Sequence, residues 1–107
     1  MLEHHSNIVP WQLLRDRRGI VLKTLPATED GRIDLDHLAE IVTEKTRLIA
    51  VTHVSNVTGA VTDVARIVDA AGAVGAKVLL DGAQAVPHGA IDVAALGIDF
   101  YAFSGHK

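Results

Sequence analysis

Cysteine is absent from the sequence, and aromatic residues, clustered basic residues and long apolar runs are scarce. With no cysteine among its 107 residues, the chain has neither a disulfide framework nor a thiolate metal site. No apolar run is long enough to cross a bilayer, and the first residues lack the basic and apolar regions of a signal peptide. The net charge of -3 gives no basic footprint for nucleic acid. We therefore expect a cytoplasmic protein that contacts neither nucleic acid nor membrane.

Most of the hydrophobic side chains are aliphatic, because aromatic residues are few. Hydrophobic residues make up 49% of the chain, although it holds one Trp, one Tyr and two Phe. Such a composition favours an α/β protein whose core is built from buried aliphatic strands. A chain of this length has room for at most one small domain.

Helical and strand patterns alternate along the whole chain. The pattern predicts helices from Ser6 and Pro10 to Gly19, over 35–43, from Thr62 or Asp63 to Gly72 or Gly75, and over 92–97, with strands over 20–26, 47–54, 77–81 and 98–104. Such alternation predicts an α/β fold with a mainly parallel sheet flanked by helices.

Polar side chains follow three of the predicted strands at their carboxyl ends. In open α/β sheets, ligands bind outside the carboxyl ends of parallel strands. These side chains are therefore expected to meet in one crevice. They are Thr52, His53, Ser55 and Asn56 after the second strand, Asp81 and Gln84 after the third, and Ser104, His106 and Lys107 after the fourth.

Each of these residues also has a structural interpretation. Asp81 could cap the turn that begins with Asp-Gly, or form a plain ion pair with Lys107, and His53 could be a hydrogen-bonded core histidine. The six histidines show no helical ligand spacing and no HExxH motif, so we predict no metal site. The commoner nucleotide-binding loops, GxGxxG and GxxxxGK[ST], are absent as well.

A carboxylate and an amine at neighbouring strand ends fit a pyridoxal phosphate site. A lysine such as Lys107 can form a Schiff base with the cofactor aldehyde, while Asp81 keeps the ring nitrogen protonated by raising its pKa. Gln84 could donate a hydrogen bond to the phenolic oxygen of the ring, and Ser104 and His106 could bind the phosphate. Every residue type that this chemistry needs is present.

Four segments of the sequence resemble consecutive motifs of the class V aminotransferase family. They are EHHSNIVPWQLL, TRLIAVTHVSNVTG, KVLLDGAQAVPH and DFYAFSGHK, and they resemble most closely the SUF-type cysteine desulfurase and selenocysteine lyase branch. The resemblance implies the large domain of a fold-type I pyridoxal phosphate-dependent transferase, assembled as a homodimer. Residues 1–107 would then be part of that cofactor-binding domain, truncated at both ends.

The resemblance also implies roles for individual residues. Lys107 matches the lysine that binds the cofactor covalently, Asp81 the partner of the ring nitrogen, and Gln84 the residue bonded to the ring oxygen. His4 matches the histidine that stacks on the ring and helps in proton transfer. When the substrate replaces Lys107 in the Schiff base, the free Lys107 amine would be a second group that carries protons.

Three further positions complete the implied site. Asn56 matches a residue near the substrate carboxylate and the cofactor, and Ser104 and His106 match ligands of the phosphate. The family's nucleophilic cysteine, its substrate-carboxylate arginine and its Gly-Thr-rich phosphate loop have no counterpart in the sequence. We therefore expect the chain alone to be marginally stable, because of unpaired sheet edges, and inactive.

The implied reaction converts L-cysteine, or L-selenocysteine, to L-alanine. The sulfur would pass as a persulfide to a sulfur-acceptor protein for iron-sulfur cluster assembly. Two alternatives stay open at this point. One is a selenocysteine lyase or another lyase of the class V family, and the other is a small α/β domain that binds a phosphorylated ligand without catalysis.

Overall fold

Helices alternate with strands along the chain from α2 onwards. The computed structural model describes residues 8–55, 58–83, 85 and 91–103. In chain order the elements are α1 (Val9–Arg18), a 3₁₀ turn (Leu35–His37) that continues into α2 (Leu38–Ile41), β1 (Leu48–Thr52), α3 (Val64–Val74), β2 (Lys77–Asp81), α4 (Val93–Leu96) and β3 (Phe100–Ala102). Within these ranges, no helix is long and apolar enough to cross a membrane.

The three strands form one parallel sheet in the order β1-β2-β3. Thr52 at the end of β1 is level with Asp81 at the end of β2, and Asp81 is level with Ala102 at the end of β3. The carboxyl ends of the strands therefore lie side by side. This arrangement confirms the predicted α/β class and its parallel sheet.

The hydrophobic core lies between the sheet and α3. Successive side chains of a strand point to opposite faces, and alternate residues of β1 and β2 contribute to one cluster with the apolar side of α3. The main members of this cluster are Ile49, Val51, Val64, Ile67, Ala71, Val78 and Leu80. Ile67 and Leu80 are completely buried, and burial of an aliphatic side chain of this size contributes about 1.5–3 kcal/mol.

Asp63 and Gly75 fix the two ends of α3. The Asp63 carboxylate accepts a hydrogen bond from the Arg66 backbone N–H at 3.4 Å, which satisfies one of the free donors of the first turn. Gly75 ends the helix in the left-handed region at φ 73°, where glycine is favoured. The predicted boundaries, from Thr62 or Asp63 to Gly72 or Gly75, agree with these caps.

α1 begins later than the sequence predicts. Its N-cap is Ile8, which forms no side-chain cap, and Pro10 lies in the first turn as predicted. Gly19 ends the helix with its N–H donating to the Arg15 carbonyl at 3.0 Å. The predicted cap, Ser6, lies outside the described residues.

The strand predicted over 20–26 is wrong. Residues 20–26 form no strand, and Val21 is 82% exposed. Pro26 has no backbone N–H to donate to a neighbouring strand. Its carbonyl accepts a hydrogen bond of 2.8 Å from the Asp34 N–H, within a turn in which Ala27 and Ile33 form an isolated antiparallel bridge. An apolar run becomes a strand only where a neighbouring strand is available for pairing.

The strand predicted over 77–81 is confirmed as β2, whereas three other predicted elements are too wide by a few residues. The predicted helix over 35–43 is the 3₁₀ turn followed by the four residues of α2, and the strand predicted over 98–104 is reduced to β3. The strand predicted over 47–54 ends at Thr52 because Val54 turns away to form an antiparallel bridge with Val61.

Candidate active site

Asp81 lies at the carboxyl end of the central strand and is 9% exposed. Its Oδ1 atom accepts a hydrogen bond of 3.1 Å from the Ala83 backbone N–H. One carboxylate oxygen therefore caps the turn, as the structural interpretation of the sequence predicts. Among the described Lys, Arg and His side chains, none forms an ion pair with this carboxylate. Asp81 thus retains acceptor capacity for a further donor at the strand ends.

Backbone hydrogen bonds hold the end of β2 from both sides. The His53 N–H donates to the Asp81 carbonyl at 2.9 Å, and the Gly82 N–H donates to the Ala102 carbonyl at 2.7 Å. The peptide group that follows Asp81 is therefore tied to both neighbouring strands. This fixes the backbone from which the carboxylate projects.

His53 and Tyr101 join the two outer strand ends. Nδ1 of His53 lies 3.0 Å from the Tyr101 hydroxyl, and the two rings meet edge to face at 87° with centroids 5.8 Å apart. Burial lowers the pKa of His53, while burial and then the charge of Asp81 raise the pKa of Tyr101. At neutral pH the imidazole is therefore uncharged and the phenol keeps its proton. The distance fits either tautomer, and we assign the hydroxyl as the hydrogen-bond donor to Nδ1 because it has no other acceptor among the described residues. The interpretation of His53 as a hydrogen-bonded structural histidine agrees with this contact.

Gly82 allows the Tyr101 ring to lie across the end of β2. A Cβ atom at Gly82 would overlap the nearest ring atoms of Tyr101, far inside van der Waals contact. The Asp-Gly pair thus has a steric reason beyond turn formation, since a residue with a Cβ would displace the ring. Neither contact residue, Gly82 or Tyr101, is predicted from the sequence as part of the site. Their only signal was a lone polar aromatic in the strand segment DFYAF and a glycine directly after Asp81.

Hydroxyl groups brace the loop after β1. Thr62 Oγ1 donates to the Thr52 carbonyl at 2.6 Å, and Thr52 Oγ1 donates to the Val54 carbonyl at 2.9 Å. Ser55, which is 3% exposed, accepts a hydrogen bond from Thr58 N–H at 3.1 Å. Thr52 and Ser55 therefore have structural roles at the carboxyl end of β1.

Most of the predicted site lies outside the described residues. This applies to His4, Asn56, Gln84, Ser104, His106 and Lys107, so Asp81 is the one residue with an implied cofactor role that lies within the described ranges. The described residues do bring Asp81 together with His53 and Tyr101, and their last range stops at Phe103, directly before Ser104. Within the described ranges, no group of three or more His, Asp or Glu side chains could hold a metal ion.

Comparison with known proteins gives the class of this fold and site. A sequence profile described as aminotransferase class V matches residues 1–107. A cysteine desulfurase of Dickeya dadantii is 59% identical over 106 residues, and one of Shigella sonnei is 55% identical over the same length. These alignments cover 99% of this chain and 26% of each relative. The chain thus spans about a quarter of the length of the relatives that it matches.

Solved structures give the same result. The cysteine desulfurase CsdA from Escherichia coli superposes with a TM-score of 0.93 at 43% identity, over 98% of this chain and 26% of that one. The apo cysteine desulfurase from Thermococcus onnurineus has a TM-score of 0.90 at 37% identity, over 99% and 26%. SspA in complex with cysteine has a TM-score of 0.87 at 28% identity, over 98% and 30%.

The chain belongs to the class V aminotransferase family, because the family profile matches all 107 residues. The predicted membership of this family is confirmed. So is the predicted fold class, a mainly parallel sheet flanked by helices as in fold-type I transferases, since the three-stranded parallel sheet superposes on solved cysteine desulfurases.

Proposed function

We propose that the full-length protein is a pyridoxal 5'-phosphate-dependent cysteine desulfurase of the SUF type. The observation that carries the proposal is a buried carboxylate, Asp81, at the carboxyl ends of parallel strands in a chain 59% identical to a cysteine desulfurase. L-Cysteine is favoured over L-selenocysteine as substrate because the relatives at 53–59% identity are named cysteine desulfurases.

The surroundings of Asp81 fit the pyridine ring of this cofactor. A buried carboxylate is costly unless it is paired, and Asp81 has one backbone hydrogen bond and no ion pair with the described basic side chains. A protonated ring nitrogen is the kind of cationic donor that would complete its coordination. Asp81 would in turn keep that nitrogen protonated, because a nearby anion raises the pKa of a cationic acid.

The remaining site residues are proposed from the family's motifs. Lys107 would hold the cofactor covalently, and Gln84 would donate to its ring oxygen. Ser104 and His106 would bind its phosphate through charge-assisted hydrogen bonds. Asn56 would orient the substrate carboxylate close to the cofactor.

The division of labour in the reaction follows from these groups. When bound, the cofactor supplies an electron sink that stabilises negative charge at the substrate α-carbon. The Lys107 amine would take the α-proton and carry it onward, and His4 would assist in this transfer. Asp81 maintains the charge of the ring nitrogen throughout.

The sulfur transfer balances without an added oxidant or reductant. The Cβ–S bond of L-cysteine breaks, and an S–S bond forms with the thiolate of an enzyme cysteine that lies outside this chain. The electron pair of the broken bond stays on carbon, which gains a proton to give L-alanine. The persulfide then passes to a sulfur-acceptor protein for iron-sulfur cluster assembly. We propose that the enzyme works as a cytoplasmic homodimer.

Product analysis of the full-length protein tests this function. With L-cysteine and the cofactor, we expect alanine and acceptor-bound sulfur in equal amounts, together with a visible absorbance band of the lysine-bound cofactor. Lys107→Ala should abolish the band and the turnover, and Asp81→Asn should lower turnover by at least about 100-fold. Asp69→Asn, on the exposed side of α3, is the matched control and should leave turnover unchanged. Alanine release that survives Lys107→Ala would refute the proposal.

A further inference from the structure

A hydrogen-bonded contact between His53 and Tyr101, here called the His53–Tyr101 bridge, spans the end of the central strand. His53 follows β1 and Tyr101 lies on β3, so the 3.0 Å bond between Nδ1 and the hydroxyl joins two strands that do not pair with each other. The bond passes over Gly82, where the Tyr101 ring lies too close for any Cβ. The bridge therefore covers the end of β2 on one face of the sheet.

Asp81 lies on the other face of the same strand end. Side chains alternate along a strand, and Leu80, the register partner of Tyr101, directly precedes Asp81. The Tyr101 ring packs against Gly82, the residue after Asp81, and the charge of Asp81 acts on its hydroxyl. The backbone bonds from His53 N–H to the Asp81 carbonyl and from Gly82 N–H to the Ala102 carbonyl connect the bridge to the peptide that carries the carboxylate.

Each partner of the bridge depends on the other. The Tyr101 hydroxyl is half-buried and has one described acceptor, Nδ1 of His53. The imidazole keeps the tautomer with the proton on Nε2 as long as Nδ1 accepts this bond. Loss of either group leaves the other polar atom without its partner, which makes the two substitutions energetically coupled.

We propose that Tyr101, anchored by His53, is a positioning residue that fixes the direction of the Asp81 carboxylate toward the ring nitrogen of the cofactor. The proposal rests on the proposed function. Neither residue touches the reacting atoms, and both act through the backbone at Asp81 and Gly82. A carboxylate with several accessible conformations would lose conformational entropy when it pairs with the ring nitrogen, and this loss would weaken cofactor binding.

The test uses the full-length protein and measures the cofactor dissociation constant and the absorbance spectrum of the bound form. Tyr101→Phe removes only the hydroxyl, and His53→Leu removes the acceptor. Both should raise the dissociation constant about fivefold and shift the absorbance band. His53→Asn should restore wild-type values, because Asn Oδ1 is attached to Cγ as Nδ1 is and can accept the same bond. The double variant Tyr101→Phe/His53→Leu should be no weaker than either single variant.

Ile67→Val separates positioning from a general loss of stability. Ile67 is completely buried in the core, so this variant should lower the melting temperature of the apo protein and leave the cofactor dissociation constant and spectrum unchanged. The proposal is overturned if Tyr101→Phe leaves both cofactor readouts at wild-type values, or if His53→Asn behaves like His53→Leu.

Asp81→Asn distinguishes failure of this inference from failure of the proposed function. A large loss of cofactor affinity in Asp81→Asn without any change in Tyr101→Phe refutes only the positioning role. An unchanged affinity in Asp81→Asn refutes the proposed cofactor site itself, and the positioning role with it.

Discussion

Asp99 and Val78 exchange two hydrogen bonds between the beginnings of β3 and β2. The Asp99 N–H donates to the Val78 carbonyl at 3.1 Å, and Oδ2 of Asp99 accepts from the Val78 N–H at 2.9 Å. The carboxylate thus takes the place of a backbone carbonyl at the point where the ladder between these strands begins. Because β3 is only three residues long, this pair supplies a large share of its attachment.

Asp99→Ala should therefore destabilise the full-length protein by about 1–3 kcal/mol, because it leaves the N–H of the buried Val78 without a partner. Asp99→Asn keeps an acceptor oxygen and should cost about 0.5 kcal/mol. Denaturant titration gives both values. Lys77→Met is the control for the ion pair between Lys77 Nζ and Asp99 Oδ1, which is 3.6 Å long and exposed, and it should change stability by less than about 0.5 kcal/mol. Equal costs for Asp99→Ala and Asp99→Asn would contradict the assigned role.

Core packing on α3 gives a second prediction. Ile67 is 0% exposed and lies in the cluster between the sheet and α3. Ile67→Ala should lower the free energy of unfolding by about 2–5 kcal/mol, and Ile67→Val by about 0.5–1.5 kcal/mol. Val61→Ala is the control, because Val61 is 59% exposed and its truncation leaves no cavity in the core. Denaturant unfolding of the full-length variants gives the values, and a cost for Ile67→Ala no larger than that for Val61→Ala would contradict the packing.

The sequence predicts the parallel strands well because their apolar runs end in polar residues at turns. β1 and β2 are found where the continuous apolar segments lie, and the Asp63 and Gly19 caps follow from side-chain chemistry that is local to each helix end. The segment over 20–26 has the same apolar character and still forms no strand. Pairing partners are a property of the tertiary structure, so a local pattern cannot supply them.

The candidate site also has one part that the sequence predicts and another part that depends on tertiary structure. Asp81 can be predicted from its place at the end of an apolar strand. The contact between His53 and Tyr101 joins residues 48 positions apart and depends on the register between β2 and β3, which periodicity leaves undetermined. The close approach of Tyr101 to Gly82 depends on the same register, so the sequence alone identifies the glycine of this Asp-Gly pair as a turn residue and nothing more.

Gly82 gives a third prediction. Gly82→Ala places a Cβ inside the van der Waals radius of the Tyr101 ring atoms, and we expect a loss of stability of about 1–3 kcal/mol or more from overpacking. Gly72→Ala is the matched control, because a Cβ on this exposed glycine of α3 meets nothing within 4 Å. It should stabilise the protein by about 0.5–1 kcal/mol through helix propensity. Thermal and denaturant unfolding of the full-length variants provide the comparison.

A double variant tests whether the clash is the cause. Tyr101→Ala removes the ring that Gly82→Ala would strike, so the two substitutions together should cost less than the sum of their separate effects. Strict additivity would mean that Gly82→Ala is unfavourable for a reason other than the ring.

His53 gives a fourth prediction, a loss of stability on acidification. Burial lowers the pKa of His53 below its ordinary value of 6.5, so the folded protein binds this proton more weakly than the unfolded chain does. The stability that His53 contributes is therefore fully present above about pH 6.5 and is lost as the pH falls from there through the lowered folded pKa. We expect the free energy of unfolding, measured from about pH 5 to 8, to decline on the acid side, and His53→Asn to remove that part of the decline.

His37 provides the control for this measurement because its effect has the opposite sign. The hydrogen bond and charge of Asp34 raise the pKa of His37 above 6.5, so its contribution is fully present below about pH 6.5 and is lost as the pH rises through the raised folded pKa. The imidazole is exposed, so solvent screening keeps this contribution small. His37→Asn should therefore leave the acid-side decline in place. An acid-side slope that is the same in wild type and His53→Asn would show that burial does not hold the His53 imidazole neutral in the folded protein.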